Sequence, residues 1–118
     1  MLVKIFQLDL ENPGTFRPYH DNPALQGEGF EKNYNLVFNG ELDASTLDHV
    51  FTILNTCTPK GYTGRTLSVS DIVGIYNDKS WNKGWTYHFC DSIGWKDIDF
   101  KDATIDTNSI MEFLRGGK

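Results

Sequence analysis

Hydrophobic positions recur along this chain with two different periods. In Leu2-Val3-Lys4-Ile5-Phe6-Gln7-Leu8-Asp9-Leu10, the even positions Leu2, Phe6, Leu8 and Leu10 share one face of an extended chain. Val3 and Ile5 make the opposite face partly apolar as well, which predicts an interior strand. Asn12-Pro13-Gly14 breaks it, and residues 15–33, with Pro18, Pro23, Gly27 and Gly29, carry no period and are expected to form an irregular crossing. Tyr34, Leu36 and Phe38 then alternate with Asn35 and Asn39 up to Gly40, the pattern of a half-buried strand. Leu47, Val50, Phe51 and Leu54 fall at i, i+3, i+4 and i+7 and predict a helix from Asp43 to Asn55. Asp43 or Ser45 is its expected cap, because a short side-chain oxygen there accepts from an unpaired first-turn amide; Asp48 suits the positive helix start.

The second half is richer in strands. Ser68-Val69-Ser70-Asp71 has the composition of a tight turn, since short polar side chains bond back to nearby backbone, and it leads into a strand at Ile72–Tyr76. Residues 77–84 read as a polar hairpin loop. Trp85, Tyr87 and Phe89 alternate with Thr86, His88 and Cys90 on the returning strand, after which Asp91-Ser92-Ile93-Gly94 bends the chain into a short segment from Trp95 to Phe100. Ile110, Met111, Phe113 and Leu114 predict a final helix capped by Asp106 or Thr107 and stopped by Gly116-Gly117. The expected class is α+β: one domain over residues 1–118, with a mostly antiparallel sheet of four or five strands, the main helix on one face and a short C-terminal helix at an edge or end.

Composition supports a self-sufficient core. The chain has 118 residues, 39% of them hydrophobic, and its 8 Phe, 5 Tyr and 3 Trp supply large apolar surface without metal or disulfide staples. No apolar run approaches the ~20 residues of a membrane span, and the expected location is the cytoplasm. Cys57 and Cys90 lie far apart and are expected to be two buried, reduced thiols.

The net charge of −5 disfavours a general nucleic-acid or anionic-membrane surface. It is unevenly divided: residues 1–59 hold three basic and eight acidic groups, whereas residues 60–118 hold eight of each. An acidic mimic of duplex DNA would need roughly 16 charges across a globule about 27 Å wide. Five net charges fall short, although a row such as Asp97, Asp99, Asp102 and Asp106 remains a local acidic feature. Direct nucleic-acid binding would need a basic groove, for which Lys60, Arg65, Lys79 and Lys83 are the only grouping.

Candidate chemistry is sparse. Ser68, Ser70 and Asp71 lack a Gly-x-Ser-x-Gly elbow and an adjacent His, so turn capping explains them better than nucleophilic catalysis. Exposed Ser68 and Ser70 hydroxyls, with Arg65 before them, could instead bond a partner. His88 and Cys90 share a strand face and, with Asp91, form the alternative of a small enzyme or metal protein; further ligands would have to come from His20, His49 or Cys57, none at metal-ligand spacing. In Asp91-Ser92-Ile93-Gly94-Trp95 a carboxylate ends a strand and a Gly frees the backbone, which reads as a structural corner with Asp91 accepting from backbone or Arg65. Trp81, Trp85 and Trp95 are expected to gather near the hairpin and this corner, where a surface Trp would serve as a binding anchor.

The stretch from Leu54 to Trp95 resembles the YodL-like domain family. That family shows a helix ending in Phe-Asn, a Gly-Arg/His-Ser-Leu-Ser-Val-Ser-Asp-Val-Val block and an aromatic strand running into Asp-Ser-(apolar)-Gly-Phe. The matching positions are Asn55, Gly64, Arg65, Leu67 to Val73, Asp91, Ser92, Gly94 and Trp95, with Thr66 in place of Ser and Trp95 in place of Phe. The resemblance implies an origin in Gram-positive bacteria and their mobile elements, and it brings no general activity or catalytic set. The resulting expectation is a non-enzymatic protein-binding or inhibitory accessory module without cofactor or metal. Its candidate contacts are Tyr62, Arg65, Ser68, Ser70, Trp81, Trp85 and Trp95, and its structural motif is Asp71, Asp91, Ser92 and Gly94. The partner and the oligomeric state are not legible in the sequence.

Overall fold

The computed structural model describes residues 1–79 and 82–102. Five strands form one sheet: β1 (Leu2–Leu8), β2 (Tyr34–Glu41), β3 (Ile72–Lys79), β4 (Asn82–Cys90) and β5 (Trp95–Ile98). Their order is β2-β1-β3-β4-β5, and every neighbouring pair is antiparallel. β1 is therefore interior, and its residues from Val3 to Leu8 are all buried. The α+β class with an antiparallel sheet and one main helix is as the residue pattern predicts.

Each sheet face has its own core. On one, Val3, Ile5, Phe38 and Val73 pack with Leu42, Leu67 and the helical Val50 and Leu54. On the other, Phe6, Leu8, Tyr34, Ile72, Phe89 and Phe100 pack with Ala24 from the long crossing between β1 and β2. Two short 3-10 turns, Pro23–Leu25 and Phe30–Asn33, stiffen that crossing. Asn22 holds it together from within: its side chain donates to the Gly14 and Arg17 carbonyls at 3.1 and 3.0 Å and accepts from the Ala24 amide at 2.9 Å. Lys4 faces this second side and is buried against Asp102, with 2.7 Å between Nζ and Oδ2, and above the Trp85 ring at 4.5 Å.

The helix, α1, starts later than its spacing predicts, running Leu47–Thr56 with Thr46 as cap. The Thr46 hydroxyl oxygen accepts from the His49 amide at 3.0 Å. Asp43 and Ser45 lie in the preceding bend because Leu42 is tied to Met1 by two bonds, of 2.9 and 3.0 Å, which hold the chain extended at that point. Asn55 lies inside the helix, and its side chain donates to the Leu67 carbonyl at 3.2 Å. Phe51 turns away from the stripe and is 37% exposed, while Ile53 takes its place against the core.

Three further expectations need correction. The hairpin is not a long polar loop: β3 and β4 stay paired through Asn77↔Gly84, Asp78↔Lys83 and Lys79↔Asn82, because ladder bonds satisfy backbone groups whatever the side-chain polarity. β2 likewise runs through Gly40 to Glu41. Of the two free thiols only Cys90 is buried; Cys57 is the exposed helix cap. The expected C-terminal helix and Asp106 lie outside the described residues. No helix among the described residues is long and apolar enough to cross a membrane.

Candidate functional site

The two sequence blocks that define the chain's pattern meet at one end of the sheet. The turn Leu67-Ser68-Val69-Ser70-Asp71 closes with the Asp71 amide donating to the Ser68 carbonyl at 3.1 Å, and the Ser68 amide donates back to Asp71 Oδ2 at 2.8 Å. Gln7, on the interior strand, donates to the same Oδ2 at 2.9 Å and to the Arg65 carbonyl at 3.0 Å, while its Oε1 accepts from the Arg65 amide at 2.9 Å. Gly64 allows this approach, since a Cβ there would lie 2.3 Å from Gln7 Oε1. Asp71 is fully buried, and its Oδ1 has no hydrogen-bond partner among the described residues. Burial raises its pKa to about 7, against the opposing pull of the Ser68 amide, the Gln7 amide and the Arg65 charge.

Ser70 joins this turn to three other segments. Its amide donates to the Cys90 carbonyl at 2.9 Å, its carbonyl accepts from the Tyr34 hydroxyl at 2.7 Å, and its Oγ accepts from the Phe16 amide at 2.9 Å. It adopts a left-handed backbone, φ 85°, that a Cβ-bearing residue tolerates only when its surroundings fix it. Asp91 does a parallel job: its Oδ1 accepts from the amides of Tyr19 at 3.1 Å and Ser92 at 2.8 Å, and its own amide donates to the Gly94 carbonyl at 3.0 Å. Gly94, at φ 72°, closes the turn in a conformation that suits glycine.

These bonds hold three large apolar side chains at the surface. Phe16, itself at φ 66°, is 51% exposed, Tyr19 is 38% exposed and Ile93, at the tip of the Asp91–Gly94 turn, is 92% exposed. Cations flank both rings: the Arg65 guanidinium carbon lies 5.5 Å from the Phe16 ring centre, and Lys96 Nζ lies 5.2 Å from that of Tyr19.

The residues singled out from sequence divide between frame and surface. Ser70 is fully buried and cannot reach a partner, and Ser68 Oγ donates to the Thr66 carbonyl at 3.2 Å. Tyr62 is half-buried; its hydroxyl donates to the Arg65 carbonyl, and burial pushes its pKa up to about 12. Arg65 Nη2 donates to the Leu8 carbonyl at 2.9 Å, and it does not bond Asp91, which takes backbone donors only. Trp85 and Trp95 occupy opposite faces rather than one cluster: Trp85 meets Tyr76 edge to face, ring centres 5.5 Å apart, and Trp95 Nε1 donates to Asp48 Oδ1 of α1 at 3.1 Å. Trp81 lies outside the described residues, as do the Lys79 and Lys83 side chains of the basic grouping. Asp102, bonded to buried Lys4, is no part of a solvated acidic row.

His88, Cys90 and Asp91 do not converge. Burial raises the Cys90 thiol to about 11, Asp91 is bound to the loop, and His88 pairs instead with Asp97 and Thr86. Among the described residues no group of three or more His, Cys, Asp or Glu is placed to hold a metal ion. Sequence reasoning missed Phe16, Tyr19 and Gln7. The first two lie in the aperiodic crossing, and Gln7 looks like any polar strand position. Ile93 carried one signal, an isolated β-branched side chain inside a polar turn.

Comparison with curated proteins and with solved structures gives no match. The sequence blocks that build this corner, from Gly64 to Val73 and from Asp91 to Trp95, lie within residues 2–100, over which the model of the YodL-like domain matches; the chain belongs to that family.

Proposed function

We propose that the chain is a protein-binding accessory module whose contact surface is the rim formed by Phe16, Tyr19 and Ile93. The carrying observation is that Ile93, 92% exposed, sits on a turn whose backbone is fixed by Asp91 and Gly94. Single exposed apolar groups are ordinary on any surface. A set of three on backbone held by the side chains of buried Ser70 and half-buried Asp91 is preorganised, so binding would cost little ordering entropy. Arg65 and Lys96 beside the rings favour an apolar partner segment flanked by carboxylates. The two free thiols are consistent with a reducing compartment, and we place the module in the bacterial cytoplasm, where it would inhibit or adapt the protein it grips.

A photocrosslinking amino acid at position 93, compared with the same group at exposed Glu28, tests the reading in cells. One defined adduct at position 93, lost on Phe16→Asp, is expected. Equal labelling at both positions, or an adduct that is only a second copy of the chain, would overturn it.

A further inference from the structure

A second constellation lies on the sheet away from the rim. β4 carries Thr86 and His88 two positions apart, and β5 sets Asp97 directly opposite His88. His88 Nδ1 is 2.6 Å from Asp97 Oδ1, and Nε2 is 2.9 Å from Thr86 Oγ1. The carboxylate fixes the tautomer with the ring proton on Nδ1 and leaves Nε2 as an acceptor. Asn77 Nδ2 donates to Thr86 Oγ1 at 3.2 Å, which occupies one lone pair and directs the hydroxyl proton toward the imidazole. Hydroxyl, imidazole and carboxylate in series is the arrangement that converts a weak alcohol into a nucleophile. A groove of about 310 Å³ runs along it, lined by Thr86, His88, Asp97 and Phe100, so an acyl carbon can approach from solvent.

We propose that Thr86 is a reactive hydroxyl that accepts an acyl group from an activated ester, with His88 as its general base and Asp97 positioning the imidazole. In the step, Thr86 Oγ forms a bond to the acyl carbon and its proton passes to His88 Nε2. The ester carbon–oxygen bond then breaks, and the leaving alcohol takes that proton. The product is a stoichiometrically acylated chain, which requires no turnover and does not depend on the binding role of the rim.

The test incubates the whole chain with p-nitrophenyl acetate and maps the acetyl group by peptide mass spectrometry. Acetyl at Thr86 is expected in the wild type and in Thr86→Ser, and none at that position in Thr86→Val. His88→Gln should slow labelling about 100-fold. Asp97→Asn should slow it at least about tenfold, and because Asp97 is 85% exposed this variant keeps the fold and the test intact. Acetyl confined to lysines and the amino terminus, or Thr86 labelling at wild-type rate in Asp97→Asn, would refute the assignment.

Discussion

Gln7 Nε2 lies 2.9 Å from Asp71 Oδ2, a bond between the interior strand and the Ser-Val-Ser-Asp turn that begins β3. Neither side chain has solvent to fall back on, since Gln7 is 2% exposed and Asp71 0%. Losing either side chain would leave buried polar groups of the other short of a partner, and Gln7, which also bonds the Arg65 amide and carbonyl, ties the turn and the loop carrying Arg65 to one interior strand.

Asp71 makes stability depend on pH in a direction opposite to that of most carboxylates. Its folded pKa, about 7, lies above the unfolded value of 3.8, so between those limits the folded chain binds more protons than the unfolded one. Its contribution is fully present below about pH 4 and is lost as pH rises through about 7. Asp71→Asn keeps an acceptor for Gln7 and Ser68 and removes the buried charge. Urea unfolding should find that the variant gains roughly 3 kcal/mol on the wild type between pH 4.5 and pH 8.

Ser70 combines a strained backbone with a needed acceptor, and two substitutions separate them. Ser70→Ala keeps φ 85° and orphans the Phe16 amide, at a cost of about 1–2 kcal/mol. Ser70→Gly loses the same bond but relieves the backbone, so it should be the more stable of the two by about 1 kcal/mol. Thermal unfolding of both variants at one pH decides the order.

The thiols should differ sharply in reactivity. Cys57 is exposed, whereas Cys90 is buried with its thiol raised to about 11. An aromatic disulfide reagent at pH 8 should titrate one thiol in the native protein and both after denaturation, with Cys57 the site labelled first.

Ile93→Ser should change unfolding free energy by no more than about 0.5 kcal/mol, because a side chain 92% exposed gives up almost no buried area. A larger loss in chemical denaturation would mean that Ile93 packs within the fold rather than presenting a surface.

Features governed by short sequence distances are legible in the sequence. The Ser70–Asp71 turn, the double-sided β1 and the alternation of Trp85, Tyr87 and Phe89 follow from local bonding and period-two burial. Features set by distant pairing are not. Gln7 becomes a hub only because Gly64 and Asp71 are brought to it, and His88 meets Asp97 through a register that no local pattern encodes. Cys57 looked like a core thiol because its exposure depends on where the helix ends. Phe16 and Tyr19 had no period to betray them, since long-range bonds to Ser70 and Asp91 place them.

The first strand, β1, is interior to the sheet, and its Phe6 faces Ile72 of β3 across more than half of the chain. A nascent polypeptide leaving the ribosome thus displays its most apolar strand with one flank open until β3 follows. Closing so long a loop is entropically slow, which makes the pairing of β1 with β3 the expected slow step of folding. Any fragment ending before β3 would keep that flank bare and be prone to assemble edge to edge with its own kind.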